Sequence, residues 1–114
     1  MSGWRYNFPE HRDVPTNAEE MLRQAQKVME EAQEAACEAQ KLAWYVAMRE
    51  QGRVVPDAVI EGIRADLRRE TLDCLQACET QLRAWSPETI LADRDWVEEK
   101  NARRGYYSVT APAK

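Results

Sequence analysis

The feature that most constrains the fold is an unbroken stretch of strong helix formers over residues 17–49. Ala, Glu, Gln, Met, Leu and Lys fill most of its positions, and it contains no glycine or proline, the two residues that interrupt helices. Thr16 and Glu19 flank its start and predict a capping box, in which the Thr16 oxygen accepts a backbone N–H. We therefore expect one long helix over this range.

The apolar residues of this helix recur at helical spacing and form a single stripe. This α1 stripe consists of Met21, Leu22, Ala25, Val28, Met29, Ala32, Ala36, Ala39, Ala43 and Val46. Because many members are alanine, a partner helix can approach closely. Over residues 42–48 the helix is apolar on every side, which is typical of a segment buried all round. One subunit of 114 residues is too small to bury it, so we expect a homodimer or homotetramer.

Two further helices follow. Gly52 lies in the break after the first, and Pro56 suits the first turn of a second helix over residues 56–85. Ser86 and Pro87 predict the start of a third helix that ends near Gly105. The pattern contains no strand signal, so the fold class is all-α, a bundle of long antiparallel helices completed by oligomerisation. We expect an extended N-terminal arm over 1–16, a helical domain over 17–105 and a C-terminal tail over 106–114.

Charge and composition exclude several classes of protein. The net charge of −4 does not favour a nucleic-acid partner, and no apolar run approaches the roughly 20 residues that a membrane span requires. The N-terminus shows no signal peptide, so a cytoplasmic protein with free thiols is expected. Cys37, Cys74 and Cys78 lack the paired spacing of a zinc site. His11 is the single histidine, which excludes a di-iron bundle built on Glu-x-x-His motifs.

Two acidic pairs mark a candidate metal site. Glu31 and Glu34 are three residues apart on the first helix, and Glu70 and Asp73 repeat that spacing on the second, so each pair shares a helix surface. If the helices pack antiparallel, the pairs can face each other and require cations between them. Oxygen ligands favour Mg²⁺, with Mn²⁺ as a substitute. The alternative is that these carboxylates belong to an ordinary solvated helix face.

Three motifs in order resemble the MazG-like all-α nucleoside triphosphate pyrophosphohydrolases, with phage-encoded members the most similar. They are Lys-x-x-Glu-Glu-x-x-Glu at residues 27–34, Glu-x-x-Asp at residues 70–73, and Lys-Asn-x-x-Arg at residues 100–104. The resemblance covers roughly residues 17–107. It departs from the family in the 35 residues between Glu34 and Glu70, a longer separation than usual, which we interpret as an insertion around residues 51–61.

The resemblance implies hydrolysis of a nucleoside triphosphate between its α and β phosphates, in the host cytoplasm if the protein is phage-encoded. It implies Mg²⁺ ligands and phosphate contacts on matching residues, which are Glu31, Glu34, Glu70 and Asp73 for the metal and Lys27, Lys100, Asn101 and Arg104 for the phosphates. Glu30 and Glu31 are the catalytic candidates. Glu30 would orient or deprotonate the attacking water, or would simply pair with Lys27 on the surface. Lys100 and Arg104 could equally be cations that suit a helix C-terminus.

Base recognition is weakly encoded. Trp4, Phe8 and Trp44 are the candidates for stacking on a base, although aromatic residues more often belong to a core. The preferred base therefore stays open, and dUTP is an alternative substrate. A different class of function is also compatible with long amphipathic helices, namely a non-catalytic oligomerisation or adaptor protein that binds a protein partner.

Overall fold

A computed structural model describes residues 3–108, and within that range the chain forms three α-helices and no strand. They are α1 (Ala18–Glu50), α2 (Asp57–Leu82) and α3 (Pro87–Arg103). The all-α prediction is confirmed, and each predicted helix end lies within three residues of the observed one. None of the three helices has the length and apolar character that crossing a membrane requires. Parts of the predicted arm (1–2) and tail (109–114) lie outside the described residues.

The chain divides into two compact units. One spans residues 7–84 and contains α1 and α2, together with most of the N-terminal arm. The other consists of the described residues before position 7 and from Trp85 onward, including α3. The first of these units holds both predicted acidic pairs.

The helix ends follow local sequence signals, but the residue that caps the start of α1 differs from the predicted one. The N-cap is Asn17, whose side-chain oxygen accepts the Glu20 N–H at 2.9 Å. Glu20 in turn accepts from the Thr16 N–H and hydroxyl at 2.8 and 2.7 Å. The predicted capping pair of Thr16 and Glu19 was therefore one residue early. Asn is at least as good an N-cap residue as Thr, and Asn17 is the residue with the extended backbone that an N-cap adopts. Gly52, at φ 87°, ends α1 as predicted.

Helices α1 and α2 pack as an antiparallel hairpin. Gln81 Nε2 donates to the Met21 carbonyl at 3.2 Å, and Gln24 Nε2 donates to the Ala77 carbonyl at 2.9 Å. The connection between the helices covers only residues 51–56, and Arg49 stabilises it by donating to the Val55 carbonyl at 2.9 Å. The expectation that an insertion at 51–61 forms an extended connection is therefore wrong, because residues 57–61 belong to α2. Residue numbers thus rise along α1 as they fall along α2.

The hairpin covers the apolar residues of α2 better than those of α1. Ile60 is 1% exposed, and the residues that follow it on the apolar side of α2 are partly buried, namely Ile63, Leu67, Cys74, Cys78 and Leu82. Seven of the ten residues in the α1 stripe are exposed, among them Leu22 at 60% and Met29 at 61%. The shielded side of α1 mixes polar and apolar residues: Gln24, Glu31 and Glu38 lie there with Val28, Ala35 and Leu42. Within one chain, α1 therefore packs through a mixed side and leaves most of its apolar stripe open.

Candidate metal centre and adjoining groove

Three of the four predicted metal ligands converge. Glu31, Glu34 and Glu70 each place one carboxylate oxygen within 4.8 Å of the others, and we call these three residues the acidic cluster. Two of them are one turn apart on α1, and the antiparallel packing brings the third from α2. Glu31 is only 9% exposed, Glu70 is partly buried and Glu34 is exposed.

The electrostatics of the cluster are those of crowded like charges. The pKa of Glu70 is raised, first by a hydrogen bond with Glu34, then by burial, and further by the negative charges of Glu34, Asp73 and Glu31. Its Oε2 atom is buried without a hydrogen-bond partner among the described residues. A donor set of three carboxylate oxygens, one of them buried and unsatisfied, suits a hard divalent cation.

Asp73 lies one turn beyond Glu70 on α2 and is exposed. It is not part of the convergent cluster, but its charge contributes to the raised pKa of Glu70. Its role as a fourth ligand stays a prediction.

Lys27 is the cation nearest to the cluster in the sequence of α1. Its Nζ lies 2.9 Å from Glu31 Oε1, one turn away on the same helix. The pKa of Lys27 is raised by this hydrogen bond and by the charge of Glu31, with smaller contributions from Glu30 and Glu34. Glu30 is exposed, and the close partner of Lys27 is Glu31.

A groove of about 880 Å³ adjoins the cluster, and two of the predicted ligands, Glu31 and Asp73, lie on its wall. The N-terminal arm, the first half of α1 and the second half of α2 form its sides. Its lining side chains are His11, Arg12, Asp13, Val14, Thr16, Glu20, Arg23, Gln24, Lys27, Glu31, Asp73, Gln76, Ala77 and Thr80. No sequence signal indicates that the arm lines this groove, because the arm lacks periodicity and lies far from α2 along the chain.

The arm is fastened to α2 by one buried carboxylate. Glu79 is 3% exposed and accepts from the Asn7 N–H at 2.9 Å, the Asn7 side-chain amide at 2.8 Å and the Phe8 N–H at 3.0 Å. Arg83 adds a bond to the Phe8 carbonyl at 2.7 Å. Burial alone would raise the pKa of Glu79, but the hydrogen bonds from Asn7 and Phe8 and the charge of Arg83 outweigh it, so the pKa is lowered.

The predicted phosphate contacts of the third helix belong to the other compact unit. There the Lys100 ammonium lies 5.0 Å from the centre of the Trp96 ring, and the Asn101 carbonyl accepts the Tyr106 N–H at 3.1 Å. Arg104 is exposed at the C-terminal cap of α3. Their contact with phosphates stays a prediction.

The three candidates for stacking on a base lie in different surroundings. Phe8 is part of the fastened arm and partly buried, and Trp44 is 58% exposed with its ring edge against Tyr45. Neither is among the side chains that line the groove. Trp4 belongs to the second unit, where it contacts Tyr6 edge to face.

Comparison with known proteins adds no assignment. The chain matches no family model, no curated protein and no solved structure.

Proposed function

We propose that this protein is a Mg²⁺-dependent nucleoside triphosphate pyrophosphohydrolase of the MazG-like kind, producing a nucleoside monophosphate and pyrophosphate. The observation that carries the proposal is the convergence of Glu31, Glu34 and Glu70 from two helices beside a groove of nucleotide size. The three motifs behind the family resemblance supply the reaction type. The proposed place of action is the cytoplasm, that of the host if the protein is phage-encoded.

The acidic cluster would hold the metal ion. Its three carboxylates and the nearby Asp73 offer oxygen ligands, and the unsatisfied Glu70 Oε2 would gain a partner. Bound Mg²⁺ polarises phosphoryl oxygens and lowers the pKa of a coordinated water, and Mn²⁺ would serve in its place.

The remaining residues would act on the substrate itself. Lys27, at the border between cluster and groove, would bind a phosphate, and the exposed Glu30 beside it would orient or accept a proton from the attacking water. Lys100 and Arg104 would offset the charge of the leaving pyrophosphate, and Asn101 would contact the triphosphate.

The test is pyrophosphate release from each common NTP and dNTP and from dUTP, with Mg²⁺, with Mn²⁺ and with EDTA. We expect metal-dependent turnover of a small number of nucleotides, lost in Glu34→Ala and Asp73→Ala. Glu50→Ala, at the exposed end of α1, is the matched control and should retain activity. A folded preparation that hydrolyses none of these nucleotides would contradict the proposal.

We further propose that a second copy of the chain covers the α1 stripe in a homodimer or homotetramer. The stripe is rich in alanine and most of it is exposed in one chain. Among the described residues Ile60 is the only large side chain that is fully buried, so one chain has a small core of its own.

The same exposed stripe favours a second candidate function, a non-catalytic adaptor whose protein partner occupies it. Metal dependence separates the two candidates. An adaptor would bind its partner equally well after Glu34→Ala, and its preparation would show no nucleotide turnover at any metal concentration.

A further inference from the structure

The groove beside the acidic cluster carries cations along one path. Lys27 borders the cluster, Arg23 follows one turn earlier on α1, and Arg12 projects from the arm into the same lining. Because Lys27 and Arg23 are one turn apart on α1, a linear polyanion that begins at the cluster would meet them in succession, with Arg12 in the same lining.

The carboxylates in the lining do not cancel the positive charge of these cations. Glu20 accepts hydrogen bonds from the Thr16 N–H and hydroxyl, and Asp13 lies 3.8 Å from His11 and 3.9 Å from Arg12. Glu31 and Asp73 also line the groove, and together with Glu34 and Glu70 they would need two divalent ions for charge balance. With those ions bound, the three cations of the lining face only the two carboxylates of Asp13 and Glu20.

The two arginines are available to a ligand. The Arg12 side chain is 90% exposed and its contact with Asp13 is long, while Arg23 is 60% exposed and pairs with the exposed Glu19 at 3.0 Å. Exposed pairs of this kind contribute little free energy and exchange readily for a phosphate.

We propose that the N-terminal arm forms one wall of a polyphosphate subsite, in which Arg12 and Arg23 bind the phosphates that lie beyond the metal. The inference deepens the proposed function and rests on it for the identity of the substrate. Glu79 is the positioning residue, since it accepts hydrogen bonds from Asn7 and Phe8 and so holds the segment that carries Arg12. The subsite lies wholly within residues 7–84, independent of the predicted contacts on α3.

The test is calorimetric titration of the full-length protein with inorganic tripolyphosphate in the presence of Mg²⁺. We expect Arg12→Gln and Arg23→Gln each to weaken binding about tenfold, the loss of one charge-assisted hydrogen bond. Arg53→Gln, an exposed arginine outside the groove, is the matched control and should bind like the unmodified protein.

Glu79→Gln should weaken binding when Arg12 is present and have no further effect in the Arg12→Gln background. If Glu79→Gln weakens binding equally in both backgrounds, the role of Glu79 is purely structural and it is not a positioning residue for Arg12.

NTP turnover, measured in parallel, separates the two proposals. Turnover by the unmodified protein with unchanged tripolyphosphate affinity in Arg12→Gln and Arg23→Gln would overturn the subsite and leave the enzyme. Weakened binding in both variants without any NTP turnover would support the anion subsite and overturn the enzyme. An unmodified protein that does not bind tripolyphosphate would overturn the subsite.

Discussion

Glu70 lies where two other carboxylates converge, and that crowding costs stability in the absence of a cation. Glu70→Gln removes one of the repelling charges, so we expect the melting temperature without metal to rise. The stabilisation that Mg²⁺ gives the unmodified protein should be lost in the same variant, because a ligand is missing. Thermal unfolding with EDTA and with Mg²⁺ measures both effects without any need for activity.

Glu61→Gln, on the exposed side of the same helix, is the control for this change. It should keep the full response to Mg²⁺. An equal response in Glu70→Gln would show that the acidic cluster does not bind the ion.

Glu79 makes the attachment of the arm dependent on pH. The pKa of Glu79 is lower in the folded protein than in the unfolded chain, where it is near 4.5. The contribution of Glu79 to stability is therefore complete at pH values above 4.5, and it is lost as the pH falls through the pKa of the folded protein. Glu79→Gln should lower the free energy of unfolding by about 2 kcal/mol at pH 7, since charged hydrogen bonds to Asn7 and Phe8 are weakened.

Denaturant unfolding at pH 7 and at pH 3 checks this expectation. The difference between Glu79→Gln and the unmodified protein should shrink at the lower pH, because Glu79 is then protonated in the unfolded chain and the contribution of its lowered pKa in the folded protein is being lost. A difference that is the same at both values would show that the charge of Glu79 does not hold the arm.

At the scale of single elements, the start of α1 depends on Asn17. Its side chain satisfies the Glu20 N–H, one of the backbone donors that a helix start leaves open. Asn17→Ala should therefore lower the free energy of unfolding by about 1 kcal/mol, whereas Asn17→Ser should retain most of it. Denaturant unfolding of the two variants measures the difference. An equal loss of unfolding free energy in both would mean that the side-chain hydrogen bond to the Glu20 N–H contributes nothing to stability.

The helices and the three residues of the acidic cluster could be predicted because their signals are local. Propensity and capping residues set the helix limits, and the spacing of three placed Glu31 beside Glu34. Antiparallel packing of neighbouring helices then supplied Glu70. Asp73 shares that spacing with Glu70 but lies outside the convergent group, since a separation of three fixes neighbours on a helix and does not fix where each side chain ends.

The groove could not be predicted for a different reason. Its arm is held by hydrogen bonds between Asn7 and Glu79, which are 72 residues apart, and no local pattern marks either partner. Glu79 is one of many glutamates on helices, and only its burial shows that it binds backbone donors. The apolar stripe of α1 was similarly visible in sequence, but periodicity alone does not say which neighbour covers it.

At the scale of the whole molecule, residues 3–108 bury few of their apolar side chains, and this leads to a prediction about assembly. Ala36→Glu places a charge in the middle of the exposed α1 stripe, so we expect it to weaken self-association about 100-fold while the helix content is unchanged. Sedimentation over a range of protein concentrations measures the change.

Gln26→Glu adds the same charge to an exposed position of α1 outside the stripe and should assemble normally. If Ala36→Glu assembles as well as this control, the stripe is not the contact between copies. If the unmodified protein stays monomeric at every concentration, the α1 stripe is covered by something other than a second copy of the chain.

The ion pair between Lys27 and Glu31 makes the lysine and a metal ion competitors for one carboxylate. Under the proposed function, a phosphate that draws the ammonium away frees Glu31 for the ion, and the ion in turn releases Lys27 for the phosphate. The two ligands would then bind with positive cooperativity, each raising the affinity for the other by the same factor. The protein with bound substrate would then bind Mg²⁺ more tightly than the resting protein does.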